Sequence, residues 1–335
     1  MLEALLVATI VVAVAFDFTN GFHDTANAIA TSVSTRALTP GQAVAVSAIF
    51  NLVGGLVTVL LLHSKVANTI GSTLAFKAGM VVVIAALLGA IAWNLVTWYF
   101  GLPSSSTHAL IGGLVGAGIA AQGGLGAIKW SAFDKQLLSL IISPPIGFAL
   151  AAVLVTLLIL LVHRARPHSI NRAFRWLQVL AGAFVSFSHG GNDAQKTMAA
   201  ITLGLVASGQ IHKFAVPVWV VVLSATAIGF GTYAGGWRII RTLGWRIYKM
   251  DPVGGLAAQL TGATVIQVAS QFGLPVSTTH VVTGSVMGSG AARSISALRW
   301  GVGANIAAAW VITIPAAALA AWVMYAILHT AGLRG

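Results

Sequence analysis

The sequence predicts an all-α integral membrane protein built from two homologous halves, expected to be inverted and to contain broken helices and re-entrant hairpins. Three observations carry that prediction: long apolar runs, a scarcity of charge, and two polar motifs that each occur twice. The 335 residues are 58% hydrophobic and 7% charged, with a mean hydropathy of +0.93. An ordinary soluble domain is about 25% charged. Apolar runs fall at 2–16, 43–62, 81–100, 150–162, 216–230 and 306–328. About 20 such residues span the hydrocarbon of a bilayer, and with the polar-broken stretches the chain predicts roughly 10–12 membrane segments. A cell membrane, crossed many times, is the expected location.

The formal net charge of +12 comes from 18 Lys+Arg against 6 Asp+Glu. In a soluble chain that excess would point to nucleic acid. Here the basic residues gather in two short stretches, 163–175 and 238–249, as cytoplasmic loops of membrane proteins do. No nucleic-acid partner is therefore expected. Cysteine is absent, which excludes a disulfide framework and a thiolate metal site. Glu3 stands where a signal peptide would carry a basic region, so 2–16 is read as part of the mature protein.

The polar motifs organise the chain. The stretch 18–30, Phe-Thr-Asn-Gly-Phe-His-Asp-Thr-Ala-Asn-Ala-Ile-Ala, aligns with 187–199, Phe-Ser-His-Gly-Gly-Asn-Asp-Ala-Gln-Lys-Thr-Met-Ala, at an offset of 169 residues (24 to 193). The stretch 101–108, Gly-Leu-Pro-Ser-Ser-Ser-Thr-His, aligns with 273–280, Gly-Leu-Pro-Val-Ser-Thr-Thr-His, at an offset of 172 (108 to 280). Two motifs recurring in the same order at nearly the same spacing predict a repeat at 1–162, an Arg-rich linker at 163–175 and a second repeat at 176–335. Doubled membrane units with polar breaks in matching positions characterise secondary transporters, whose sites lie where the halves meet. Each half counts four crossings if its Gly-Leu-Pro segment is re-entrant and five if it spans.

Asp17, Asp24 and Asp193 sit in apolar surroundings. A carboxylate at mid-bilayer depth costs about 2.5–3.5 kcal/mol on insertion scales, so it survives when paired, protonated or facing water. Asp24 and Asp193 are equivalent in the repeat, whereas Ser186 stands opposite Asp17. Around them lie Asn20, His23 and Asn27 in the first half and His189, Asn192 and Lys196 in the second. Carboxylate and amide oxygens suit Na+, and carboxylate with histidine suits a proton relay. The candidate coupling-cation set is Asp17, Asn20, His23, Asp24, His189 and Asp193, with no metal beyond Na+ and no cofactor.

The Gly-Leu-Pro motifs supply the anion side. Proline is tolerated at the start of a helix, and Ser104, Ser105, Ser106 and Thr107, with Ser277, Thr278 and Thr279, can cap that start and donate outward. Exposed N–H groups at a helix N-terminus attract oxyanions. With Asp24, Asp193 and Lys196 these hydroxyls form the candidate substrate set. Phosphate keeps one or two protons at neutral pH and can donate P–OH to an aspartate, which sulfate cannot. The stretch Gly190–Thr197 faintly resembles a P-loop, but Gln195 occupies the place of the glycine before the lysine, so ATP hydrolysis is not expected. No fixed motif sets a nucleophile beside a base, and an enzyme is not expected.

The paired motifs at 18–28 and 188–198, joined by the Gly-Leu-Pro-x-Ser-[Ser/Thr]-Thr-His pair, resemble the signatures of the PiT family of inorganic phosphate transporters, closest to its bacterial low-affinity branch. The resemblance runs over nearly the whole chain. It implies inverted repeats, symport of phosphate with H+ or Na+, carriage of neutral metal-phosphate complexes, and substrate roles for Asp24, Asn27, Asn192, Asp193 and the hydroxyls at 104–107 and 277–279. His23 stands where many relatives have Asn, and Lys196 aligns with Asn27, which tilts the expectation towards protons. A sulfate/H+ symporter on the same scaffold is the alternative. The expected partners are inorganic phosphate and the lipid bilayer, the chain acting alone or as a homodimer.

Overall fold

The computed structural model describes residues 2–164 and 167–333, without the side chains of 62 and 167–169. Twelve α-helices account for nearly all of these residues: α1 (Leu2–Ser34), α2 (Pro40–Leu62), α3 (Lys65–Gly71), α4 (Met80–Phe100), α5 (Ser106–Gln122), α6 (Trp130–Val162), α7 (Pro167–Ala207), α8 (Val218–Ala234), α9 (Trp237–Arg241), α10 (Pro252–Gln271), α11 (Thr278–Ala291) and α12 (Trp300–Thr330). A π-helical turn, Thr242–Arg246, continues α9. Five of the helices are long and apolar enough to cross a membrane, and the bent pair formed by α8 with α9 and its π-turn makes a sixth.

One expectation is corrected. The polar stretches at 18–30 and 187–199 do not break their helices, since α1 and α7 run unbroken through both. The polar residues form an inward face, and Gly21 and Gly190 serve close helix packing. The expected linker at 163–175 is helical from Pro167 onward, a residue suited to opening a helix. Residues 165–166 lie outside the described part.

The Gly-Leu-Pro motifs are where the chain does break. Gly101 and Gly273 adopt left-handed conformations, φ 66° and 68°, which glycine reaches without a Cβ penalty. In both, the residue after glycine returns an N–H to the last helical turn, Leu102 to Thr97 and Leu274 to Ala269, each at 2.9 Å. This is a Schellman-type stop. Proline then bars the helix from resuming at once. Ser105 and Ser277 become N-caps, accepting from the N–H groups of His108 and His280 at 3.1 and 3.2 Å. Each motif is thus one helix end, one turn and one helix start, giving the hairpins α4–α5 and α10–α11.

Packing interlocks the two halves of the chain. α1 lies on α8 while α2 lies on α7, and α12 packs on α4 and α5 while α6 packs on α10 and α11. Glycine makes these crossings close. A methyl placed on Gly54 would sit 2.0 Å from the Phe187 carbonyl oxygen, and one on Gly231 would sit 2.2 Å from that of Phe18. The same pairing recurs between Gly116 and Ala318 and between Gly288 and Phe148, both at 2.0 Å. α6 and α12 form the outer wall and expose large apolar side chains such as Leu161, Val311 and Leu319, as lipid contact requires. Gly54→Ala should cost about 3 kcal/mol by overpacking. The check is the thermal midpoint of detergent-solubilised protein, with Gly41→Ala, which meets open space, as the unaffected comparison. Equal midpoints for the two variants would contradict the packing argument.

Candidate functional site

The two hairpin tips and the middles of α1 and α7 converge on one buried polar cluster. Asp24 and Asp193 both belong to it, and each is no more than 2% exposed. His189 Nε2 lies between them, 3.8 Å from Asp24 Oδ2 and 3.2 Å from Asp193 Oδ2. Neither approach has hydrogen-bond alignment. Asn20 Nδ2 donates to Asp193 Oδ2 at 3.3 Å. Residues 20 and 24 thus meet 193 and 189 in reverse order, and α1 crosses α7 antiparallel.

Each carboxylate has its own donors. Asp24 Oδ1 lies 2.6 Å from His23 Nδ1 and accepts from Thr279 at 3.3 Å, while Oδ2 accepts from Ser106 at 3.1 Å. Lys196 Nζ donates to Asp193 Oδ2 and to Ser106 Oγ, both at 2.7 Å, and to Thr107 Oγ1 at 3.3 Å. Ser106 therefore bridges the ammonium and Asp24. Asn27 Nδ2 donates to Thr279 at 2.9 Å, and Thr107 donates to the Val276 carbonyl at 3.1 Å, joining one hairpin tip to the other. The first-turn N–H groups of α5 and α11 have no partner within their own helices. Placed here, they add positive potential to the cluster.

Most of the expected residues meet in this cluster, and some stand apart. Ser104 is one layer behind, hydrogen-bonded to Thr97 at 2.7 Å and 3.3 Å from His23 Nε2. Ser105 and Ser277 spend their hydroxyls on capping. Asn192 turns to Ser270, donating at 2.7 Å, and Thr278 opens α11 at the position matching Ser106 without a side-chain hydrogen bond of its own. Asp17 lies beside Asn20 and Thr197, wholly buried, with neither carboxylate oxygen hydrogen-bonded. Asn20 Oδ1, Asn27 Oδ1, Asn192 Oδ1 and Asp193 Oδ1 are likewise buried without a partner. Such orphaned acceptors are costly, and so many oxygens together fit a positively charged or proton-donating guest.

Three supporting residues lie outside the candidate sets. Asn51 Oδ1 is 2.6 Å from His189 Nδ1, Thr97 holds His23 and Ser104, and Ser270 holds Asn192. Asn51 and Thr97 stand inside the apolar runs 43–62 and 81–100, beside the other polar residues Ser47, Thr58 and Asn94. Their partners, however, lie far along the chain and were not visible in it. His108 and His280, one residue beyond the site hydroxyls, lie with ring centroids 4.4 Å apart and planes tilted by 37°, and His280 stacks on Trp310 at 3.8 Å.

Known proteins have related sequences. Residues 20–321 match the model of the phosphate transporter family. The chain belongs to that family. A probable low-affinity inorganic phosphate transporter of Rhizobium meliloti is 49% identical over 96% of both chains. One from Bacillus subtilis is 44% identical over 98% of this chain and 99% of its own. A solved structure titled "The sodium-dependent phosphate transporter" shares the fold, with a TM-score of 0.88 over 98% of this chain and 99% of that one, at 24% identity. As a member of the phosphate transporter family the chain is a multi-pass membrane protein, its apolar helices set in the bilayer, and its relatives are named as transporters and not as enzymes.

Proposed function

We propose that this protein is a secondary active symporter of inorganic phosphate, free or as a metal-phosphate complex, driven by H+ or Na+ through alternating access. The observation that carries the proposal is the meeting of Asp24 and Asp193 with Lys196 and the hydroxyls of Ser106, Thr107 and Thr279 in one site closed from solvent. Hydroxyls, an ammonium and helix tips donate to phosphate oxygens, and the aspartates accept from its P–OH groups. Sulfate offers no such proton and would meet the carboxylates lone pair against lone pair.

The repeat boundaries 1–162 and 176–335 fit an inverted pair. The second half reverses the first when each half crosses an odd number of times, which is the five crossings counted if its Gly-Leu-Pro segment spans. Supporting this, α1 crosses α7 antiparallel, and Gly101 and Gly273 are braced by the segments that follow α8 and α2, the two matching helices.

Coupling to protons is the first reading, because an imidazole accompanies each central aspartate, His23 at 2.6 Å and His189 at 3.2 Å. Sodium is the second, favoured by the unpartnered oxygens of Asp17, Asn20 and Asp193. Proteoliposomes under separately imposed pH and sodium gradients distinguish them. Proton coupling predicts phosphate accumulation on an inward proton gradient without sodium, with excess sulfate failing to block it. Accumulation that needs sodium would reverse the order of the two readings, and flux that follows neither gradient would refute symport.

A further inference from the structure

The Gly101 and Gly273 turns are braced in the same way. Thr242 Oγ1 donates to the Gly101 carbonyl at 2.8 Å, as Thr69 Oγ1 does to that of Gly273 at 2.7 Å. Arg238 donates to the Tyr99 carbonyl, two residues before Gly101, and Lys65 donates to the Gln271 carbonyl, two residues before Gly273. Counting from each brace, Arg241 and Arg246 correspond to Asn68 and Thr73. The turn therefore needs Arg238 and Thr242, and the two further arginines are extra on one face of the molecule.

These arginines share a cavity of about 300 Å3 with Arg238, Tyr99, Phe100 and Gly101. Arg238 is held in place over the Trp98 and Tyr99 rings, 5.3 and 4.8 Å from their centroids. No carboxylate lines the cavity, and among the described residues neither Arg241 nor Arg246 forms a salt bridge. Three guanidinium groups around one small space repel one another unless an anion enters. Guanidinium also matches phosphate geometry, with donors arranged in a planar fork. The turn beneath the cavity leads within three residues to Ser104, which sits against Thr97 and His23 of the buried site.

We propose that Arg238, Arg241 and Arg246 form a second, peripheral site for a phosphate group, either free phosphate waiting at one mouth of the pathway or the headgroup of an anionic lipid. The free-phosphate form rests on the transport function proposed above, and the lipid form does not. The test uses the full chain as wild type, as Arg241→Gln/Arg246→Gln and as Arg241→Lys/Arg246→Lys, leaving the brace intact. Equilibrium exchange of labelled phosphate is measured in proteoliposomes of neutral lipid and of neutral lipid with phosphatidylglycerol, so that both mouths face substrate. Anionic lipid retained on purification is measured in parallel.

Free phosphate predicts that the Gln pair raises half-saturation roughly 3- to 10-fold at low salt with the maximal rate kept, the Lys pair recovers, and the difference shrinks as salt is raised. A lipid headgroup predicts phosphatidylglycerol retained by wild type and lost from the Gln pair, with half-saturation unchanged. Unchanged half-saturation together with unchanged lipid retention would overturn the site. Absence of exchange by wild type would instead strike the transport reading, leaving the lipid measurement to decide the cavity.

Discussion

Lys196→Met should abolish phosphate uptake and destabilise the protein at the same time. The Lys196 side chain is 1% exposed, and its ammonium makes three hydrogen bonds, to Asp193, Ser106 and Thr107. Removing it strands the Asp193 carboxylate in a dry interior, and breaking a buried ion pair from one side costs about 3–5 kcal/mol. The loss of transport has a separate cause. A doubly charged anion entering between Asp24 and Asp193 meets like charge, and among the described residues Lys196 is the one lysine or arginine bonded to an aspartate and to the hairpin hydroxyls together. The double variant Lys196→Met/Asp193→Asn separates the two effects, because it removes both charges. Its melting temperature should return most of the way to wild type while uptake stays absent. Uptake by Lys196→Met at the wild-type rate would show that the ammonium plays no part in holding the substrate.

Much of this site was legible because the sequence repeats. Asp24 and Asp193 occupy the same place in two copies of one motif, and the two copies meet around a shared centre. The Gly-Leu-Pro turns could be read from chemistry alone, since a left-handed glycine, a proline and a capping serine permit little else. The continuity of α1 and α7 was hidden, because a polar run inside an apolar protein looks like a break. Thr25 illustrates why it is not one, as its hydroxyl donates to the Gly21 carbonyl one turn back, at 2.6 Å, and reaches the Thr232 carbonyl of α8 at 3.1 Å. What separates a polar inner face from a broken helix is the company it keeps, and that company comes from residues 74 to 255 positions away. The isolation of Asp17 was partly foreshadowed, since it lacks an acidic counterpart in the second half.

Asp24→Asn and Asp17→Asn should fail in different ways, and the contrast tests how substrate and cation are divided between them. Asp24 accepts from His23, Thr279 and Ser106, so an amide there must turn its NH2 towards at least one donor. It also cannot accept the P–OH proton through both oxygens. A site built to hydrogen-bond a substrate hydroxyl loses roughly 100-fold or more when the match is broken. Uptake by Asp24→Asn should fall by at least that much while the protein still inserts in the membrane, and Asp193→Asn should behave alike. Asp17 touches none of the substrate hydroxyls, and its two oxygens have no hydrogen-bond donor. Its amide should leave phosphate exchange near normal; under sodium coupling it should also uncouple transport, so that an imposed sodium gradient no longer drives accumulation, whereas under proton coupling accumulation should persist. Exchange at the wild-type rate by Asp24→Asn would remove that carboxylate from the substrate site. Gradient-driven accumulation retained by Asp17→Asn would show that the coupling ion is carried elsewhere, with the histidine-paired aspartates the remaining carriers.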